Sequence, residues 1–193
     1  MVTIITICAS FDIFFNCAQP LTICCIFDIM IIEIIFLEVT DMIEKGMMAP
    51  EISLCDQNGN VRSLSEFKGR KVVLYFYPKD MTSGCARHAA GFAELYQRFL
   101  ERGAVVIGVS RDSVASHKRF EEKYSLPFIL LSDPERTATE AYGVWQEKKN
   151  YGKISMGVVR SSFIIDENGV VEGVFYNVKA ANNPADMLER LDG

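Results

Sequence analysis

Residues 1–41 contain no lysine or arginine. A secretory leader opens on a basic segment, so the head of this chain lacks its first mark. The head also has no uninterrupted run of about 20 apolar residues, the length that crosses a bilayer. The apolar stretch at 21–37 is broken by Asp28 and Glu33, and each acid near a bilayer centre costs about 3 kcal/mol. A membrane anchor is therefore disfavoured. The head carries Asp12, Asp28, Glu33, Glu38 and Asp41. Without these five of the 25 acids, 20 acids face 20 Lys and Arg, so the head accounts for the whole net charge of -5. Residues 1–41 read as lying outside the working protein, for example as translated sequence upstream of a start at Met42. Residues 42–193 read as the domain.

That domain has no basic stripe, which argues against a nucleic-acid partner. It is also poor in cysteine. Of six cysteines, Cys8, Cys17, Cys24 and Cys25 lie in the head, leaving Cys55 and Cys85. Two separated cysteines do not make a disulfide scaffold, so the domain reads as a protein of a reducing compartment, the cytoplasm. Cys-x-x-Cys is absent, which argues against a disulfide oxidoreductase. Cys85-x-x-His88 supplies only two ligands where a zinc site needs about four. No metal is expected, and His88 is expected to face solvent.

What is present is regular patterning. Glu51–Leu54, a turn cluster at 56–60 and Val61–Leu64 form a hairpin signature. Lys71–Tyr77 and Ala104–Val109 are runs of β-branched and aromatic residues, read as buried strands. Between them, Phe92, Leu95, Phe99 and Leu100 recur at helical spacing over Cys85–Arg102, which Gly103 ends. Asp112 or Ser113 can cap a helix to Tyr124. Phe128–Leu131 is a short strand, and Asp133-Pro134-Glu135 opens a further helix. Val158–Ile165, the turn 166–169 and Val170–Tyr176 form a second hairpin, and Pro184–Leu191 closes the chain as a helix. The fold class expected is α/β: a central mixed sheet flanked by helices, with an N-terminal β-hairpin, an order that a thioredoxin-like fold satisfies.

The chemistry concentrates in Tyr75-Phe76-Tyr77-Pro78-Lys79-Asp80-Met81-Thr82-Ser83-Gly84-Cys85. A strand ends, a short loop follows, and a cysteine begins a helix. Amides and dipole at a helix N-terminus favour an anion, here the reactive thiolate. Thr82 could touch both the sulfur and a bound oxygen, and Pro78 can wall the pocket from water. The plainer readings are a buried inert thiol for Cys85, a helix cap for Thr82 and a core or pocket-wall role for the aromatics. Cys55 reads as a small apolar filler rather than a second reactive thiol.

Pro78-x-x-x-Thr82-x-x-Cys85 resembles the active-site motif of the peroxiredoxins. Ala49-Pro50, Leu64-Ser65-Glu66-Phe67-Lys68-Gly69, Tyr77-Pro78-Lys79-Asp80 and Gly108-Val109-Ser110 resemble the Q-type subfamily, also called bacterioferritin comigratory protein. The resemblance runs from about Met42 to the C-terminus. It implies a thioredoxin-like fold, reduction of hydrogen peroxide and organic hydroperoxides at a cysteine sulfenic acid, and no metal or organic cofactor. It implies Cys85, Thr82 and Arg160 as catalytic residues, Tyr77, Pro78 and Gly84 as the pocket, and thioredoxin, glutaredoxin or a small thiol as reductant. A monomer or weak homodimer is expected. The plain surface reading of Arg160 is an ion-pair residue. One departure stands out: many Q-type members have a resolving cysteine five residues after the first, where this chain has Ala90, and 116–124 holds none either. A one-cysteine cycle is the expectation. The alternative is a non-enzymatic sensor or binding module that signals through Cys85 oxidation.

Overall fold

A computed structural model describes residues 42–150 and 153–191. The readings made for residues 1–41 lie outside the described residues. The described residues belong to one compact unit.

Nine strands, four α-helices and a 3-10 turn (Leu64–Phe67) follow one another along the described chain. The strands are β1 (Ser53–Asp56), β2 (Val61–Ser63), β3 (Lys71–Phe76), β4 (Ala104–Ser110), β5 (Ile129–Ser132), β6 (Trp145–Asn150), β7 (Lys153–Val158), β8 (Ser161–Ile165) and β9 (Val171–Phe175). The helices are α1 (Ser83–Glu101), α2 (Val114–Tyr124), α3 (Thr137–Ala141) and α4 (Asn183–Arg190). Seven strands form one sheet in the order β2-β1-β5-β4-β3-β8-β9, while β6 and β7 pair only with each other. β3, β4 and β5 are parallel, and the outer pairings are antiparallel. The parallel centre follows from the helical crossovers α1 and α2, and the antiparallel edges from short turns.

β3 shows why the sheet is buried on both faces. Val72, Leu74 and Phe76 point into one apolar layer, with Ile107, Tyr142 and Phe163. Val73, Tyr75 and the following Tyr77 point into the other, with Cys85, Phe92, Phe99 and Phe120. Period-two alternation with no polar face needs cover on both sides. Gly108 lets this second layer close: a Cβ there would lie 2.7 Å from the Tyr75 ring and 2.9 Å from Leu130.

Two expectations change. Val158–Ile165 is not one strand, because the pairing breaks at Val159 and Arg160, between β7 and β8. The β6–β7 hairpin was not foreseen. Asp133-Pro134 forms a turn rather than a helix start, since Arg136 takes a left-handed φ of 67° and α3 begins at Thr137. No helix among the described residues is long and apolar enough to cross a membrane.

Candidate active site

β3 delivers the chain to the site and Pro78, which has no N–H for a ladder, follows just after it. Met81 then takes a left-handed φ of 60°, and Thr82 is extended at the N-cap of α1. The Ala86 N–H closes the first helical bond to the Thr82 carbonyl at 2.8 Å. The earlier amides of the turn have no intrahelical acceptor, and Cys85 is the third helical residue. Its side chain is 2% exposed.

The structure brings Cys85 and Arg160 together. Arg160 Nη2 donates to Cys85 Sγ at 3.1 Å, and Nη1 donates to His88 Nδ1 at 2.9 Å. The Arg160 carbonyl accepts from the Val178 N–H at 2.9 Å, which fixes the backbone in the break between β7 and β8. Gly84 lies alongside, with room for a Cβ at 3.8 Å from Nη2.

His88 does not face solvent; it is fully buried. One turn after Cys85, position 88 points the same way as the thiol, into the layer below the sheet. Because Arg160 donates to Nδ1, the hydrogen sits on Nε2, which donates to Asn183 Oδ1 at 2.8 Å. Ser162 Oγ donates to the same oxygen at 2.7 Å. Turning the Asn183 amide over would put its N–H against the His88 Nε2–H, so this arrangement is the consistent one. Burial, with the Arg160 charge adding to it against the Asn183 bond, lowers the His88 pKa to about 4. A chain of contacts thus runs from α4 through His88 to the guanidinium and the sulfur. Sequence reading missed His88, Ser162 and Asn183; the i, i+3 spacing of Cys85 and His88 was the available signal for the histidine.

Thr82 precedes Cys85 by three residues. It occupies the N-cap, but its hydroxyl makes no capping bond and donates to the Lys79 carbonyl at 3.1 Å. Its oxygen keeps lone pairs for an incoming donor. Pro78 is exposed at the loop, and Tyr77 is buried with its hydroxyl tied to Asp80 at 2.8 Å. Lys148 of β6, also missed, donates to the Val158 carbonyl. Burial and the Arg160 charge push its ammonium down, against the opposing pull of Cys85. Cys55 lies in β1, in register with Val61 and Ser132. β5 and β4 separate that strand from β3.

A cysteine at a helix N-terminus on a thioredoxin-like sheet, with a guanidinium on its sulfur, defines a class of thiol chemistry. The comparisons name it. Residues 46–174 match the model of the AhpC/TSA family. The chain is 46% identical over 149 residues to the peroxiredoxin Bcp of Bacillus subtilis, covering 77% of this chain and 95% of that one. It is 45% identical over 149 residues to a putative peroxiredoxin of the same type from Coxiella burnetii, covering 77% and 99%. Among solved structures it resembles the Xanthomonas campestris bacterioferritin comigratory protein, described for alkyl peroxide reduction, with a TM-score of 0.70 and 36% identity over 73% of this chain and 90% of that one. A cysteine-to-serine mutant of the Xylella fastidiosa peroxiredoxin Q gives a TM-score of 0.74 at 31% identity, over 79% and 97%. The chain belongs to the AhpC/TSA family, in its Bcp or peroxiredoxin Q branch. It is a thiol peroxidase with the thioredoxin-like α/β fold.

Proposed function

We propose that Cys85 is the peroxidatic nucleophile, that Thr82 and Arg160 are the other catalytic residues, and that the cycle uses one cysteine. The observation that carries this reading is the 3.1 Å contact from Arg160 Nη2 to Cys85 Sγ at the first turn of α1. The thiolate attacks the nearer oxygen of a hydroperoxide. An S–O bond forms, the O–O bond breaks, and the leaving alkoxide or hydroxide takes up a proton. The guanidinium and the free amides of the first turn face the charge that moves onto oxygen. Hydrogen peroxide and alkyl hydroperoxides are the substrates, in line with the activity described for the Xanthomonas relative.

The sulfenic acid is then reduced by an external thiol. The incoming thiol forms a mixed disulfide and releases water, and a second thiol frees Cys85. The support is geometric. Across the sheet, Cys55 sits three strand spacings, about 14 Å, from β3, the strand that leads into the loop before Cys85, whereas a disulfide needs α-carbons within about 7 Å. Both cysteines are free thiols, which suits the cytoplasm, where thioredoxin, glutaredoxin or a small thiol is the donor.

The test is hydroperoxide consumption with each donor, on the chain as it stands and on Cys85→Ser, which removes turnover while leaving the fold intact. Mass spectrometry under non-reducing conditions after one equivalent of peroxide should find a trappable sulfenate on Cys85. Undiminished turnover by Cys85→Ser would refute the nucleophile, and a stoichiometric Cys55–Cys85 bridge would refute the one-cysteine cycle.

A further inference from the structure

The loop that carries Thr82 has one buried tether that the peroxidase chemistry does not touch. Between Tyr77 and Cys85, Pro78, Lys79, Met81, Thr82, Ser83 and Gly84 are all exposed, and Asp80 is 3% exposed. Every polar atom of Asp80 that faces inward is engaged. Its N–H donates to Asp112 Oδ2 at 2.8 Å, an oxygen that also accepts from Ser110 Oγ at 2.9 Å. Its Oδ1 accepts from Tyr77 at 2.8 Å. Its Oδ2 accepts from Ser116 Oγ at 2.7 Å and from His117 Nδ1 at 2.9 Å.

His117 is fully buried, and its other nitrogen, Nε2, lies 3.1 Å from the Leu131 carbonyl. A carbonyl only accepts, so Nε2 carries a hydrogen. Nδ1 faces a carboxylate that already takes two hydroxyl donors, so a hydrogen there completes the arrangement. The geometry is that of a buried histidine–carboxylate pair joining α2 to the loop. Burial by itself would raise the Asp80 carboxyl; the bond and charge of His117, then Ser116 and Tyr77, outweigh it and hold the group below its ordinary value.

The residue after this tether is Met81, at a left-handed φ of 60° with an exposed side chain. That conformation costs of order 1 kcal/mol for a non-glycine residue and persists only where neighbours enforce it. On its loop side the enforcing neighbour is Asp80. On the other side stand Thr82 and the amides of the first turn.

We propose that Asp80 and His117 are positioning residues for peroxide reduction: the pair holds Met81 in its left-handed turn and so aims Thr82 at the peroxide, with Ser116 and Tyr77 completing the clamp. The proposal rests on the reading of Cys85 as the nucleophile. It separates two properties of the thiol. Its intrinsic nucleophilicity depends on Arg160 and the helix, whereas in-line delivery of a peroxide depends on the loop. Misplacing a reacting group by about 1 Å costs on the order of a hundredfold in rate. Alkylation by iodoacetamide needs no such alignment.

The experiment uses the full chain, with Asp80→Leu, His117→Leu, His117→Asn and Ser116→Ala. Quenched-flow trapping of the Cys85 sulfenate gives the rate constant with hydrogen peroxide, and iodoacetamide labelling gives thiol reactivity on the same samples. The leucine variants should lose on the order of tenfold to hundredfold with peroxide and less than about threefold with iodoacetamide. His117→Asn, which keeps an N–H for the carboxylate, should recover part of the loss. Ser116→Ala, which keeps the Asp80–His117 pair and is the mildest change to the fold, should lose several-fold with peroxide alone. Wild-type peroxide rates in the variants, or equal losses with both reagents in the folded Ser116→Ala and His117→Asn proteins, would overturn the clamp. Absence of any Cys85 sulfenate in the unsubstituted chain would instead bring down the reading of the nucleophile, and the clamp with it.

Discussion

Arg160 spends its two terminal nitrogens differently: one on sulfur, one on a neutral imidazole. A carboxylate in the place of His88 would neutralise the guanidinium, whereas the imidazole orients it and leaves the charge for the sulfur and the departing oxygen. Arg160→Met should therefore slow sulfenate formation by at least tenfold, and Thr82→Val should slow it less, both read by quenched-flow trapping. His88 adds a pH signature. Its pKa falls from 6.5 to about 4 on folding, so between those values the unfolded chain holds a proton that the folded chain does not. Stability is complete above about pH 6.5 and is lost as pH falls towards 4, by up to about 3 kcal/mol. Urea melts at pH 7 and pH 4.5 should show that loss, and His88→Gln should remove most of it. At this scale Cys85 and Arg160 were legible as motif positions. The burial of His88 was not, because Asn183, which lies 95 residues further on, supplies the partner that makes burial tolerable.

The helices and central strands were legible because each carries its own period. Phe92 and Phe99 sit seven residues apart on the buried side of α1, and β3 alternates between two apolar layers. The β6–β7 hairpin carries no such signal. Gln146, Glu147 and Lys148 are polar whichever way they face, and Ile154 and Met156 are exposed. It is a ribbon without a core of its own, and such ribbons are marginal in water. Its root is secured instead at Trp145, paired in register with Val158 and approached by the guanidinium of Arg111 at 4.7 Å and of Arg136 at 5.4 Å from the ring centre. Trp145→Ala should cost about 2 kcal/mol, less than a fully buried aromatic, measured by thermal unfolding. It should also lower the peroxide rate, since Val158 is two residues from Arg160.

At the scale of the molecule, the site is assembled from parts that meet only in the folded sheet: the loop after β3, the break before β8 and the start of α4. The order of strands and helices implied such a sheet, but not which loops would converge. The domain is proposed to begin near Met42. Ile43 is buried, and the Gly46 and Ala49 N–H groups donate to the Val171 and Gly169 carbonyls at 2.8 and 2.9 Å, so the described chain is tied near its start to β9 and the turn before it. A chain starting at Met42 should match the full chain in melting temperature and peroxide rate. Aggregation or loss of rate would assign residues 1–41 a part in the fold.

Trp145 is the one tryptophan of the chain, and this makes the molecule its own optical gauge. The indole stands where the hairpin joins the strand that leads to Arg160, with two cations against its ring. A shift of the Arg160 backbone when the sulfur gains oxygen would begin two residues from its cross-strand partner, Val158. Emission from this tryptophan, excited apart from the seven tyrosines, would then follow each half of the cycle in real time, with no label added.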